Sequence, residues 1–135
     1  MSETGSSTFI NAVGRVAVPV TDQDTAIEFY VAKLGFSVTA DVAYADGSYR
    51  WVEVAPPGGG TTLAIVPPRP GGPVGIDTNV ILTTGDIEEA HAALRAEGVD
   101  VDQEVSHMGD PVPPMVWFRD QDGNTLLLVE ERPDR

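Results

Sequence analysis

An internal repeat constrains the fold of this chain more than any other feature. Two segments of similar length carry the same signals in the same order, namely a helix-capping aspartate, a helix-ending glycine and a strand beginning with Thr-Leu. The matching positions, each 63 or 64 residues apart, are Asp22 and Asp86, Gly35 and Gly98, and Thr62 and Thr125. The 135-residue chain is therefore expected to form one domain of two equivalent modules.

The first module is predicted to run strand, helix, then three strands. In residues 14–20 a β-branched valine stands at every second position, which is typical of a strand. Asp22 is a good N-cap for the helix that follows. An apolar stripe at helical spacing comprises Ile27, Tyr30, Val31 and Leu34. Gly35 ends the helix, and residues 36–43, 49–54 and 61–66 are predicted strands.

The second module repeats this order. Residues 77–83 are a predicted strand, Asp86 caps the second helix, and Glu89 stands where a capping-box partner is expected. Gly98 ends that helix, and the remaining predicted strands are residues 99–105, 114–119 and 125–130.

This order predicts an α+β fold of two tandem βαβββ modules. The modules span residues 10–66 and 76–131, a stiff Pro/Gly linker occupies 67–75, and residues 1–9 are expected to be a flexible tail. Together the modules should form a curved, eight-stranded mixed sheet with helices on the outer face. The other faces can then enclose a cleft, the default ligand site of such a design.

Charge and composition exclude several classes of function. The chain has 21 acidic and 8 basic residues, a net charge of −13, and no cysteine. The acidic surface disfavours nucleic acid as a partner, and the missing thiols exclude disulfides, zinc–thiolate sites and a cysteine nucleophile. The sequence lacks a long apolar run and a secretory signal, so we expect no membrane association and a cytoplasmic location.

Two separated motifs resemble a known family. Residues 16–22, Phe29-Tyr30 and Leu34-Gly35-Phe36 resemble the opening signature of the vicinal oxygen chelate superfamily, which includes glyoxalases, bleomycin-resistance proteins and extradiol dioxygenases. Residues 118–124 resemble its closing turn, with Gln121 where proline is usual. The resemblance covers about residues 10–131. It is nearest to the metal-free, antibiotic-binding branch, and it implies the two-module fold.

The resemblance also implies where a metal would be held. Metal-using members place His, Gln or Glu ligands on the first and last strands of each module, and those positions fall here on Arg15, Ala64, Asn79 and Leu127. Arginine stays protonated, and Ala64 and Leu127 carry no donor atom. We therefore expect no metal and no cofactor.

Strand alternation assigns other residues to the cleft. Glu53 and Arg119 resist burial beneath a helix, so their faces should be the cleft faces, and Trp51, Met115 and Trp117 share those faces. The tryptophans suit flat aromatic ligands, while Arg15 and Arg119 could hold a carboxylate or phenolate. Alternatively, both tryptophans are ordinary core or dimer-interface packing.

Other polar residues leave alternatives open. His107 and Met108 precede a stiff loop, residues 109–114, that either lines the cleft rim or is a plain connection, and His91 is expected to be a partly covered helix residue. Glu53 beside a tryptophan could have a raised pKa and act as a general base. Glu130 is expected to be a surface charge at a strand end.

These observations favour a metal-independent protein that sequesters an aromatic, drug-like or cationic small molecule, as in antibiotic resistance. The resemblance implies a homodimer. The alternative is a glyoxalase- or dioxygenase-like enzyme, either a lyase or dioxygenase with atypical metal ligands or a metal-free isomerase that uses Glu53 or His107.

Overall fold

The computed structural model describes residues 9–132 and contains the βαβββ order twice. The elements are β1 (Arg15–Pro19), α1 (Gln23–Glu28), β2 (Ser37–Tyr44), β3 (Tyr49–Ala55), β4 (Thr62–Val66), β5 (Asp77–Thr84), α2 (Ile87–Ala96), β6 (Asp100–Val101), β7 (Met115–Arg119) and β8 (Thr125–Glu130). Most of the predicted tail, residues 1–8, lies outside the described residues. Within residues 9–132 no helix has the length and apolar character needed to cross a bilayer.

The eight strands pair as two sheets of four. The strand orders are β1-β4-β3-β2 and β5-β8-β7-β6, and the described residues show no ladder that joins the two sheets. In each sheet the first strand of the module runs parallel to the last, and the other neighbours are antiparallel. The predicted α+β class with tandem βαβββ modules is confirmed. The expected continuous eight-stranded sheet is instead two sheets of four, because within residues 9–132 no strand of one module pairs with a strand of the other.

The helix ends follow the sequence signals. The Asp22 carboxylate accepts from the backbone N–H groups of Asp24 and Thr25, and the Asp86 carboxylate accepts from that of Glu89 at 3.1 Å. In the predicted capping box the Glu89 side chain would accept from the Asp86 N–H. That hydrogen bond is not formed, because the Asp86 N–H donates to Thr84 Oγ1 instead. After Glu28, helix α1 continues as a π-helical segment, Phe29–Lys33.

The sixth strand is shorter than predicted. The sequence pattern predicts residues 99–105, whereas β6 contains only Asp100 and Val101. The carbonyl oxygen of Asp102 lies 2.8 Å from His91 Nε2, which gives it a partner on α2 instead of on a neighbouring strand. A single bridge between Ser106 and Met115 resumes the pairing. His91 is partly covered, as predicted.

One hydrophobic core serves both modules. The residues predicted to pack beneath the helices all belong to a single buried cluster, namely Val52, Val54, Leu63, Ile65, Val116, Phe118, Leu126 and Leu128. Phe29 and Tyr30 after α1, and Ile87 and Leu94 of α2, join them. Each sheet therefore has a core face towards this cluster and an opposite face, which we call the open face.

The turn between β7 and β8 fastens the modules together. Buried Asn124 donates from Nδ2 to the Pro19 carbonyl at 2.8 Å, and its Oδ1 accepts from the N–H groups of Gly75 and Ile76. Tyr30 Oη donates to Asp120 Oδ2 at 2.8 Å. Burial, and then the Asp120 charge, raise the pKa of Tyr30, so this hydroxyl stays a donor. The family-like closing turn is thus a structural joint.

Candidate functional site: the two open sheet faces

Glu53 is the centre of the open face of the first sheet. Its Oε2 accepts from Trp51 Nε1 at 2.6 Å and from Arg15 Nε at 2.5 Å, and its Oε1 accepts from Thr62 Oγ1 at 2.8 Å. The arrangement follows from the sheet register, because Arg15 lies opposite Thr62 and Glu53 lies opposite Ala64. The carboxylate is buried, while Trp51 keeps 36% of its surface exposed.

These donors determine the protonation state of Glu53. The hydrogen bonds from Trp51, Arg15 and Thr62 lower the pKa of the Glu53 carboxyl from 4.5 to about 2. The expectation of a raised pKa is therefore wrong, since donors outweigh burial. A carboxylate with so low a pKa and with both oxygens occupied is a weak general base near neutral pH.

The open face of the second sheet carries a similar group. Trp117 is again 36% exposed, and it lies opposite Leu127 of β8. Arg119 donates to Asp102 Oδ1 at 2.8 Å and to Asp100 Oδ1 at 3.3 Å. The Asp102 hydrogen bond, followed by that of Asp100, raises the pKa of Arg119.

Register places further apolar residues on this second face. Met115 pairs with Val129, and Leu127 pairs with both Trp117 and Ile81. Residues that pair directly across a sheet point to the same side. Each open face thus combines a half-exposed tryptophan, an arginine already paired with carboxylate, and apolar neighbours.

The two open faces lie on opposite sides of the shared core in the described part of the chain. Both core faces contribute to the shared core, so the open faces lie on the far sides of their sheets. Within residues 9–132, no hydrogen bond or ion pair joins the Trp51, Glu53 and Arg15 side chains to those of Met115, Trp117 and Arg119.

The residues at the family's metal positions do not fit a metal. Arg15 is bound to Glu53, and Ala64 and Leu127 offer no donor. Asn79 is exposed on β5, at a register irregularity where its φ is 59°. Across residues 9–132, no three His, Cys, Asp or Glu side chains group as metal ligands.

His107 and Met108 belong to the loop that follows the short strand β6. His107 Nε2 is 3.0 Å from Glu88 Oε2, and both line a pocket with Asp110 at the start of α2. Met108 is 71% exposed. This loop therefore forms part of a separate pocket.

Glu130 differs from its prediction. It is buried rather than a surface charge, because its Oε2 accepts from the Ile87 N–H at 3.1 Å at the beginning of α2. Arg132 balances the charge, with its Nε 3.2 Å from Glu130 Oε1. Alternation places Glu130 on the core face with Leu126 and Leu128, but only the tertiary structure brings the N-terminus of α2 to the end of β8.

Sequence reasoning missed the partners that hold the site residues. Thr62, Asp100 and Asp102 complete the bonding of Glu53 and Arg119. Thr62 could have been found from the strand order, since β1 and β4 are neighbours in a βαβββ module. No local signal marks the two aspartates among the many acidic residues.

Comparisons with known proteins agree with this architecture. The family model described as the Glyoxalase/Bleomycin resistance protein/Dioxygenase superfamily matches residues 12–128. A member of that superfamily from Sphaerobacter thermophilus DSM 20745 is 37% identical, with 90% of this chain and 98% of that chain covered and a TM-score of 0.83.

Two further relatives are similar along nearly their whole length. TnmS3, an antibiotic binding protein from Streptomyces sp. CB03234, is 35% identical, with 91% of this chain and 98% of that chain covered and a TM-score of 0.77. The uncharacterized protein YetH of Bacillus subtilis (strain 168) is 34% identical over 127 residues, which cover 90% of this chain and 99% of YetH. With its fold, its repeated modules and the family model in agreement, this chain belongs to the Glyoxalase/Bleomycin resistance protein/Dioxygenase superfamily.

Proposed function

We propose that this protein binds a small aromatic, drug-like molecule without a metal and without turnover. The observation that carries the proposal is the pair of open faces, each with a half-exposed tryptophan held beside a neutralised arginine–carboxylate group. An indole face stacks on flat conjugated rings. The likeness to the antibiotic binding protein TnmS3 supports a role in antibiotic sequestration.

Charge narrows the ligand class. Arg15 and Arg119 already pair with carboxylates, and the chain carries a net charge of −13. Their guanidinium charges are therefore largely compensated before a ligand arrives. A neutral or cationic polycyclic compound suits these faces better than an anion.

We propose a homodimer in which two chains complete the binding clefts. The open faces carry exposed apolar side chains, among them Val42 at 56%, Tyr49 at 59% and Ile81 at 61%. Apolar side chains grouped on one sheet face are typical of surfaces that a partner or ligand covers. Sedimentation should give the mass of two 14.3 kDa chains, and a monomer at micromolar concentration would contradict this part of the proposal.

Tryptophan substitutions test the binding faces. A thermal-shift screen of polycyclic and cationic antibiotics should find a compound that raises the melting temperature and quenches tryptophan fluorescence. Trp51→Ala and Trp117→Ala should each weaken its binding by about tenfold, because each removes one stacking surface. Trp51→Phe keeps an aromatic ring and is the matched control. Unchanged affinity in both alanine variants would show that the binding faces are wrongly assigned.

Metal analysis separates binding from metal-dependent turnover. After dialysis, the purified protein should contain far less than one Fe, Mn, Ni or Zn per chain, because the family's ligand positions hold Arg15, Ala64, Asn79 and Leu127. Stoichiometric metal that survives dialysis would overturn the metal-independent proposal and favour the enzyme alternative.

A further inference from the structure

The linker between the modules forms one wall of a pocket. A cavity of about 430 Å³ lies against the open face of the first sheet, where β1 and β4 contribute Ala17, Pro19 and Val66. The linker contributes Pro68, Arg69 and Pro73 to the lining. The lining residues are therefore mostly apolar, and Arg69 is the charged residue among them.

The linker holds a defined shape at this wall. Gly72 N–H donates to the Arg69 carbonyl at 2.7 Å across a turn with Pro70 second and Gly71, at φ 77°, third. Proline followed by a glycine of positive φ is typical of a type II turn. A Cβ on Gly72 would lie 2.9 Å from the Arg69 carbonyl oxygen, so this position requires glycine. The turn fixes the backbone that carries Arg69.

Arg69 differs from most arginines of the chain. Of the six arginines within residues 9–132, Arg15, Arg50, Arg119 and Arg132 form ion pairs. Arg69 has no ion-pair partner among the described residues, although the protein has a net charge of −13. Its guanidinium is thus available to an anion from outside the chain.

We propose that this pocket, which we call the linker pocket, binds a small aromatic monoanion. Arg69 would pair with its carboxylate or sulfonate, and Ala17, Val66 and the proline rings would pack against the aromatic part. A guanidinium recognises such planar oxyanions with two parallel hydrogen bonds. The pocket lies within one chain, so this inference goes beyond the proposed function and needs no second chain.

A matched pair of fluorescent probes tests the anion requirement. 8-Anilinonaphthalene-1-sulfonate and N-phenyl-1-naphthylamine share one ring system and differ by the sulfonate. Arg69→Gln should weaken binding of the sulfonate by about fivefold and leave the neutral amine unchanged, since a partly exposed charge-assisted pair contributes modestly. Arg95→Gln is the control, because Arg95 also has no ion pair within residues 9–132, and it should change the affinity of neither probe.

A second variant locates the site. Ala17 is exposed on β1 and lines the pocket, so Ala17→Phe should fill the cavity and weaken the binding of both probes. Circular dichroism checks that the variants fold, and if Ala17→Phe does not fold, Arg69→Gln alone decides. Equal sulfonate affinity in Arg69→Gln and the parent, or no sulfonate binding by the parent up to about 1 mM, would overturn the proposal.

The two proposals fail separately. Trp117→Ala is expected to weaken binding of the polycyclic ligand of the proposed function. It should preserve the difference by which Arg69→Gln weakens binding of the sulfonate but not of the neutral amine. If Trp117→Ala removes that difference, the sulfonate is bound at the open face of the second sheet, beside Trp117, and the linker pocket is wrongly assigned.

Discussion

Asn124→Ala is expected to lower the free energy of unfolding by about 3 kcal/mol, because it leaves several buried polar groups without partners. The side chain is completely buried and bonds the Pro19 carbonyl, the N–H groups of Gly75 and Ile76, and Asp120. These partners lie in the first module, the end of the linker, the start of the second module and the closing turn. The loss should appear in urea titrations and as a fall in melting temperature of about 10 °C.

Two further variants calibrate this effect. Tyr30→Phe removes only the hydrogen bond to Asp120 and should lower the free energy of unfolding by about 1 kcal/mol. Gln103→Ala, at an exposed position whose side chain has no hydrogen bond within the described residues, should change it by less than about 0.5 kcal/mol. An Asn124→Ala protein as stable as Gln103→Ala would show that the joint does not hold the modules together.

The parent protein should lose about 2 kcal/mol of its free energy of unfolding between pH 4.5 and pH 2 through Glu53 alone. The folded state depresses the pKa of this carboxyl to about 2, so the stabilisation is complete above pH 4.5. It is lost as the pH falls towards 2, because folding then requires the group to give up a proton. Urea titrations at several pH values measure the slope.

Glu53→Gln isolates this contribution, because glutamine keeps the shape but does not ionise. The variant should be less stable than the parent at pH 7 and should lack the Glu53 part of the acid loss. Glu104→Gln is the matched control, since Glu104 is exposed and has no ion pair within residues 9–132. If the parent and Glu53→Gln show the same dependence on pH, the three donors do not stabilise the Glu53 carboxylate.

Much of the fold was predictable because its signals are local. Asp22 and Asp86 cap the helices as predicted, and Gly35 and Gly98 adopt positive φ where the helices end. Alternation along β3 and β7 correctly placed Val52, Val54, Val116 and Phe118 in the core. The wrong predictions concern positions where a distant element intervenes, such as Glu130 beneath α2 and Asp102 bonded to His91.

The candidate site was only partly predictable. Trp51 and Glu53 were placed on one face because they are two residues apart on a strand. The pKa of Glu53 was predicted in the wrong direction for two reasons. Trp51 acts as a hydrogen-bond donor to the carboxylate rather than as an apolar cover, and Arg15, 38 residues away, becomes a partner only when β1 lies beside β4. Nothing in the sequence marks Arg69, because a Pro/Gly-rich segment predicts only a stiff linker.

The sequence by itself determined the repeated module, the helix ends and the two faces of each strand, since capping and alternation depend on near neighbours in the chain. Only the tertiary structure decided which charges are paired and which faces stay open. The pairing of charges and the exposure of a sheet face depend on strand register and on the packing of both sheets against one core. Both bring together residues that are tens of positions apart in the chain. Arg15 and Arg119 are thereby neutralised, while Arg69 keeps an uncompensated charge at the wall of a pocket.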